Sequence, residues 1–187
     1  MLIFLNRVMK AHFIGNGKSN RLFNSPYGIV VCGNIPNHSI PYTALSIIDT
    51  KVILYLKDSK QHLENIDVWC SPVIKKHADI HQVKGRWHTI YTPTWRYNSG
   101  HQAVNHLSKN PHLKIIELWG MDSMWSDDLI SQMDDRVIRS KRPPLNNEWR
   151  PNWKKIFAQH PNMMYVINAP KGIEQVDYGK NTRYKLH

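Results

Sequence analysis

Long hydrophobic runs are missing from this 187-residue chain. None approaches the ~18 residues that a membrane-crossing helix needs, so no transmembrane span is expected. The opening "MLIFLNRVMK" is apolar only briefly, and Arg7 and Lys10 come after the patch. A secretory signal puts its charge first and a longer apolar segment behind it. The patch therefore reads as an extra strand or turn, and the protein is expected in the cytoplasm. Cysteine is scarce as well. Cys32 and Cys70 sit in or beside the apolar runs "GIVVCGN" and "IDVWCSP", where buried free thiols are expected, and their spacing supplies no zinc site. His77 and His81 lie four apart, but no third ligand stands near them, so no metal is expected. Acidic residues are also in deficit, with 14 against 25 Lys and Arg, a formal charge of +11 and a pI near 9.7. Such a surface favours anionic partners: nucleic acid, nucleotide phosphates or an acidic membrane surface. The cations are spread out, with local clusters at Arg136, Arg139, Lys141 and Arg142 and at Lys180, Arg183 and Lys185.

What the chain does contain is a series of short apolar runs closed by Gly, Pro, Asn or Asp. "KAHFIG", "YGIVVCGN", "TKVILYLKDS", "ENIDVWCSP", "HLKIIELWGMD" and "PNMMYVINAP" read as six strands covered on both faces. Helices are expected between them. "SPVIKKHADIHQ" has Ser71 as N-cap and Pro72 at the first helical position. "NSGHQAVNHLSKN" puts Ala103, Val104 and Leu107 on one face. "NNEWRPNWKKIFAQH" carries Trp149, Trp153, Ile156 and Phe157 at helical spacing. Alternation of this kind predicts an α/β fold, one domain over 1–187 with a mostly parallel central sheet. Residues 123–147 fit neither pattern, and a long irregular segment of this kind is expected to be a lid, a binding loop or a disordered stretch.

In such folds ligands sit at the carboxyl ends of the strands. Polar marks expected there are Gly15-Asn16-Gly17-Lys18-Ser19, Gly33-Asn34, Lys57-Asp58-Ser59 and Gly120-Met121-Asp122, with Asn98-Ser99-Gly100 opening a helix. Glycine in the first turn permits positive φ and close approach of a ligand, and free N–H groups after it suit a phosphate. A plain turn at a strand end explains the same residues. The stretch is neither a Walker loop nor a G-x-G-x-x-G fingerprint, since Asn20 stands at the third glycine position. Asn34 offers a donor and an acceptor to a ribose or a pyrimidine edge, or is simply a turn residue. Asn98-Ser99-Gly100 offers a hydroxyl and helix-terminal amides, or is simply an N-cap.

The order of these motifs resembles the bacterial sialyltransferases that use CMP-activated sialic acid, and the motility-associated proteins that share their Rossmann-like fold. The family opens with an apolar strand and Gly-Asn-Gly-Pro-Ser; here stands Ile14-Gly15-Asn16-Gly17-Lys18-Ser19. Val30 to Asn34 matches its second strand, Asn98-Ser99-Gly100 its Thr-Ser-Gly, "KIIELWGMD" its Gly-x-Asp strand, and "NWKKIFAQHPNMMYVINAP" its closing helix and strand. The resemblance spans roughly residues 11 to 170 as spaced motifs. It implies a three-layer Rossmann-like domain and a cytidine-nucleotide site lined by Gly15, Asn16, Gly17, Lys18, Ser19, Asn34, Asp58, Asn98, Ser99 and Gly100. The chain departs from the pattern in Lys18 for Pro and Asn98 for Thr, and residues 123–159 contain no His where the family places one.

A sugar transferase must hold its nucleotide, stabilise the departing phosphate and deprotonate an acceptor hydroxyl. Lys18, Arg139 or Arg142 would serve the phosphate, and Asp122, His101 or Asp128 the proton. The expected partners are thus a nucleotide-sugar donor as substrate, most simply a CMP-sugar, and a hydroxyl acceptor such as a glycan, with no separate cofactor. The alternative is a non-catalytic basic protein that binds nucleic acid or a macromolecular assembly. Interleaved aromatic and basic residues in "KGRWHTIYTPTWRYN" would then stack on bases, although core and sheet packing is the favoured account of them. A methyltransferase is disfavoured because Gly33-Asn34 stands where an acidic ribose partner is common. A kinase is disfavoured because the Walker lysine spacing is absent.

Overall fold

The computed structural model describes residues 9–24, 27–36, 40–61, 63–91, 97–128 and 145–187. Its centre is a sheet of eight strands, all parallel, in the order β5-β4-β3-β2-β1-β6-β7-β8. The strands are β1 (Met9–Ile14), β2 (Ile29–Gly33), β3 (Ala44–Ser46), β4 (Leu63–Cys70), β5 (Gly85–Thr89), β6 (Leu113–Trp119), β7 (Met164–Ala169) and β8 (Thr182–Leu186). Four α-helices connect them among the described residues: α1 (Thr50–Asp58), α2 (Pro72–Ile80), α3 (Ser99–Leu107) and α4 (Arg150–Gln159). The expected α/β architecture with a parallel sheet is present. No helix among the described residues is long and apolar enough to cross a membrane.

Two cores flank the sheet. On one face α3 and α4 bury Ala103, Val104, Trp153, Ile156 and Phe157 against Phe13, Leu118 and Ile167. On the other, α1 and α2 bury Val52, Ile53, Leu56, Ile74 and Ala78 against Ile14, Val30, Leu45 and Val68. Between β7 and β8 no helix intervenes. The connecting coil instead buries Tyr178 in the first core, where its hydroxyl donates to the Met124 carbonyl at 2.8 Å.

Five of the six expected strands fall on β1, β2, β4, β6 and β7, and the three expected helices fall on α2, α3 and α4. The sixth, "TKVILYLKDS", is the helix α1. A continuous apolar run does not distinguish strand from buried helix by periodicity. Here β3 ends just before it, and a crossover to the parallel β4 needs a helix. Three strands escaped the sequence reading: β3, with three residues, and β5 and β8, the two edges of the sheet. Both edges are polar, "GRWHT" and "TRYKL", as edge strands must be to avoid pairing with other chains. The N-terminal patch over residues 1–8 lies outside the described residues.

The strand order reverses at β1 and β6, and the turns that leave these two strands touch. The Gly15 N–H donates to the Trp119 carbonyl at 2.8 Å and the Gly17 N–H to the Gly120 carbonyl at 2.9 Å. A Cβ on Gly120 would lie 2.5 Å from the Gly15 carbonyl oxygen and 2.6 Å from Asn20 Cβ, and Gly120 has φ +62°. At Gly172, φ is +83° but nothing lies within 4 Å. Alanine at Gly172 meets only the left-handed backbone penalty of about 1–2 kcal/mol. Alanine at Gly120 meets that penalty and a backbone clash, so its cost is expected to exceed about 3 kcal/mol. Urea denaturation of the two variants checks this, and equal losses would contradict the close approach.

Candidate functional site

The turn after β1 is tied in three directions. Asn16 donates from Nδ2 to the Gly33 carbonyl at 2.6 Å, which fixes it to the end of β2. Asn20 donates from Nδ2 to the Gly15 carbonyl at 3.2 Å, closing the turn on itself. The Ser19 N–H and hydroxyl both donate to the Asp122 carboxylate, the N–H at 3.2 Å to Oδ2. Gly15 and Gly17 do not adopt positive φ, and Gly17 is extended at φ −70° and ψ 158°. They are glycines because another chain segment lies against them. A Cβ on Gly15 would fall 2.5 Å from the Gly120 carbonyl oxygen, and one on Gly17 would fall 2.6 Å from Asp122 Cγ. The amide at the start of the 3-10 turn Lys18–Leu22 is thus held by a carboxylate of the protein itself. Lys18 is exposed.

Three of the expected motifs meet at Gly33. Its carbonyl accepts from Asn16, and a Cβ there would lie 3.3 Å from Ser99 Oγ and 3.0 Å from the Phe13 ring. Asn34 follows in the left-handed conformation, φ 57°, with its N–H bonded to the Ser46 carbonyl at 2.9 Å. Asn34 Oδ1 is buried and has no hydrogen-bond partner among the described residues, an arrangement that costs free energy until a donor is supplied. Ser99 and Gly100 open α3. Asn98 caps it by accepting from the His101 N–H at 2.9 Å, while the N–H groups of Ser99 and Gly100 have no partner among the described residues. Those two amides and the helix dipole suit an anion.

Ser46 and Tyr91 are contributors that the sequence reading missed. Tyr91 donates its hydroxyl to Ser46 Oγ at 2.7 Å, and Ser46 donates to the Ser99 carbonyl at 2.8 Å. Both are buried, and burial pushes the Tyr91 hydroxyl far above its ordinary range. The chain ties the ends of β3 and β5 to the start of α3. Its only sequence signal was a hydroxyl ending the short apolar run "TALS". Arg150 is the other addition. It donates to the carbonyls of Ser123 and Ser126 at 3.1 and 3.0 Å and pairs with Asp127 at 2.9 Å, holding the turn after Asp122.

The remaining candidates are placed as follows. Asp58 ends α1 rather than a strand, so it is exposed at the amino edge of the sheet, opposite the other motifs. Asp128 is exposed, and its N–H bonds Ser126 Oγ. Arg139 and Arg142, with most of the expected lid, lie outside the described residues. His101 is fully buried. Its Nδ1 accepts from the Asn98 N–H at 3.1 Å, so Nε2 carries the proton and donates to the Trp149 carbonyl at 3.1 Å. No ring nitrogen is left to take a proton from a substrate. Cys32 and Cys70 are free and buried, the Cys32 thiol being pushed up to about 12 by burial. Among the described residues no group of three or more His, Cys, Asp or Glu converges for a metal. No family model, no curated protein and no solved structure matches the chain, so the resemblance to the sialyltransferases stands on its spaced motifs.

Burial holds the His101 imidazole at about 3, whereas an unfolded histidine titrates near ~6.5. The unfolded chain takes up this proton first on acidification, so His101 contributes no loss above pH ~6.5 and destabilises progressively from there toward its folded value. The slope is at most about 1.4 kcal/mol per pH unit. Denaturant melts of His101→Gln and the wild type between about pH 7 and 4 are expected to show a shallower acid slope in the variant, by about one proton. Parallel slopes would contradict a neutral, fully bonded His101.

Proposed function

We propose that the protein binds a cytidine nucleotide at the carboxyl edge of its sheet, over Gly33, and that a CMP-sugar is the donor it presents for transfer to an acceptor hydroxyl. The observation that carries this reading is the meeting of Asn16, Asn34 and Ser99 at Gly33, beside the strand-order reversal where α/β sheets take their ligands. The unpartnered Asn34 Oδ1 would accept from an amino or hydroxyl group of the nucleoside. The free Ser99 and Gly100 amides would take the phosphate. The turn after β1 would then act as a wall of the site, because its Ser19 amide already serves Asp122. For transfer, Asp122 is the half-buried carboxylate beside this edge, and it would have to exchange its Ser19 bonds for the acceptor's proton.

A second reading, binding without transfer, draws on the same two facts: Asp122 is already engaged by Ser19, and His101 has no free nitrogen. Calorimetry and thermal shift with CMP, CDP, UDP, NAD and S-adenosylmethionine test the binding step. Cytidine nucleotides are expected to stabilise the wild type. Asn34→Gly, which keeps the left-handed backbone, should leave stability nearly unchanged and weaken CMP by about tenfold. No response to any cytidine nucleotide would sink both readings. Turnover of a CMP-sugar that falls by about a hundredfold in Asp122→Asn, with CMP binding retained, would select transfer. CMP binding with no turnover of any CMP-sugar would select the second reading.

A further inference from the structure

The register of the sheet sets four residues in one row: Gly33, Ser46, Trp69 and His88, on β2, β3, β4 and β5. Register partners in neighbouring parallel strands share a face. A Cβ on Gly33 would approach Ser99 Oγ, and Ser46 donates to the Ser99 carbonyl, so the row lies on the α3 side. Trp69 is partly buried there against the first core, and its ring stands edge-on to that of His106 on α3, 5.0 Å between centroids. Asp67 and Arg86 are register partners two residues before Trp69 and His88, so strand alternation puts them on the same face.

This corner of the sheet is open. Asp67, Arg86 and His88 keep 38, 56 and 48% of their side-chain surface exposed. They form one cluster: Arg86 Nε pairs with Asp67 Oδ1 at 3.0 Å, and His88 donates from Nε2 to the same oxygen at 2.9 Å. The bond from His88, and then Arg86, hold the Asp67 carboxyl below its ordinary range. Asp67 Oδ2 and the second ring nitrogen of His88 have no partner among the described residues. Lys84 pairs with Glu64 at 3.5 Å on the same two-strand edge. Charge is therefore balanced here, on a chain that carries +11 overall.

A partly exposed indole beside planar hydrogen-bonding groups, with no net charge, suits a neutral ring that has an apolar face and a rim of hydroxyls. A sugar is such a ring. Its C–H face packs on an aromatic, and its neighbouring hydroxyls match the forks of a carboxylate and a guanidinium. A nucleic-acid backbone fits less well, because Asp67 stands between the cations that would have to meet its phosphates. A serine or threonine of a peptide offers the indole nothing to stack on. We propose that this shelf binds a neutral sugar ring of a glycan, with Trp69 under the ring and Asp67, Arg86 and His88 on its hydroxyls. Trp69 lies two strand spacings, about 10 Å, from Gly33. The role of the bound sugar as the acceptor rests on the nucleotide reading of the Gly33 site; the binding itself does not.

The test is amide and indole NMR of the full chain titrated with lactose, cellobiose and maltotriose, and in parallel with a serine- and threonine-containing peptide and a short single-stranded RNA. A saccharide is expected to shift the Trp69 indole N–H saturably in the millimolar range, with an affinity that stays within about twofold as salt is raised. Trp69→Ala should weaken that affinity by about tenfold or more. Asp67→Asn with Arg86→Gln, at exposed positions, should weaken it by about fivefold or more and keeps the test open if Trp69→Ala unfolds. Lys76→Gln, on α2 across the sheet, should stay within about twofold. Absence of any saturable saccharide shift, unchanged affinity in the shelf variants, or tighter binding of the peptide or the RNA would each overturn the proposal. CMP binding without saccharide binding overturns the shelf alone, and saccharide binding without CMP binding overturns the Gly33 reading alone.

Discussion

Everything at the carboxyl edge of this sheet depends on the contact between the turns that leave β1 and β6. Two backbone hydrogen bonds join them, and three glycines remove the side chains that would hold them apart. Asp122 completes the junction by accepting from the Ser19 amide and hydroxyl. A carboxylate on an open amide at the start of a helical turn is a stable arrangement, because the partial positive charge there is met at short range. With that end fixed, Asn16 reaches Gly33, and Gly33 in turn lets the start of α3 come down onto β2. The edge is therefore rigid through its own hydrogen bonds, which lowers the ordering cost of any ligand that lands on it.

The order of elements was largely legible because the central strands are covered on both faces. β1, β2, β6 and β7 must be nearly continuous in apolar residues, and punctuation by Gly, Asn and Pro marks their ends. The edges β5 and β8 were not legible, since exposure on one side fills them with Arg, His, Lys and Thr. Val52 to Leu56 was misread because a buried helix and a buried strand show the same short apolar run. Only β3, three residues long and itself unseen, shows which one is needed.

At the site, the positions were legible and their physical roles were not. Gly15-Asn16-Gly17 reads in sequence as a cradle for an outside group, and the group against it is Asp122, 105 residues after Gly17 (122 − 17). Sequence spacing cannot show such a partner, because it depends on which strand lies beside β1. The same holds for His101. In sequence it stood as a candidate proton acceptor, whereas it is part of the helix cap. Ser46 and Tyr91 stood in no motif at all, and only the register that aligns Gly33, Ser46 and Trp69 brings them to α3.

The placement of β1 also bears on how the chain acquires its shape. β1 precedes both of its neighbours along the chain, and one of them, β2, follows after 14 intervening residues. Its other neighbour is β6, and the bond from Trp119 to His12 spans 107 positions. Until β6 is available, one edge of the strand that becomes the middle of the sheet has no partner. Lys10 and His12 lie on that strand, where a fully apolar sequence would otherwise be expected. Polar side chains of this kind are what keep a bare strand edge from recruiting the wrong neighbour. In the finished sheet Lys10 meets Glu117 and His12 meets Trp119, so both polar side chains of β1 find their partners on the strand that comes to it from farthest along the chain.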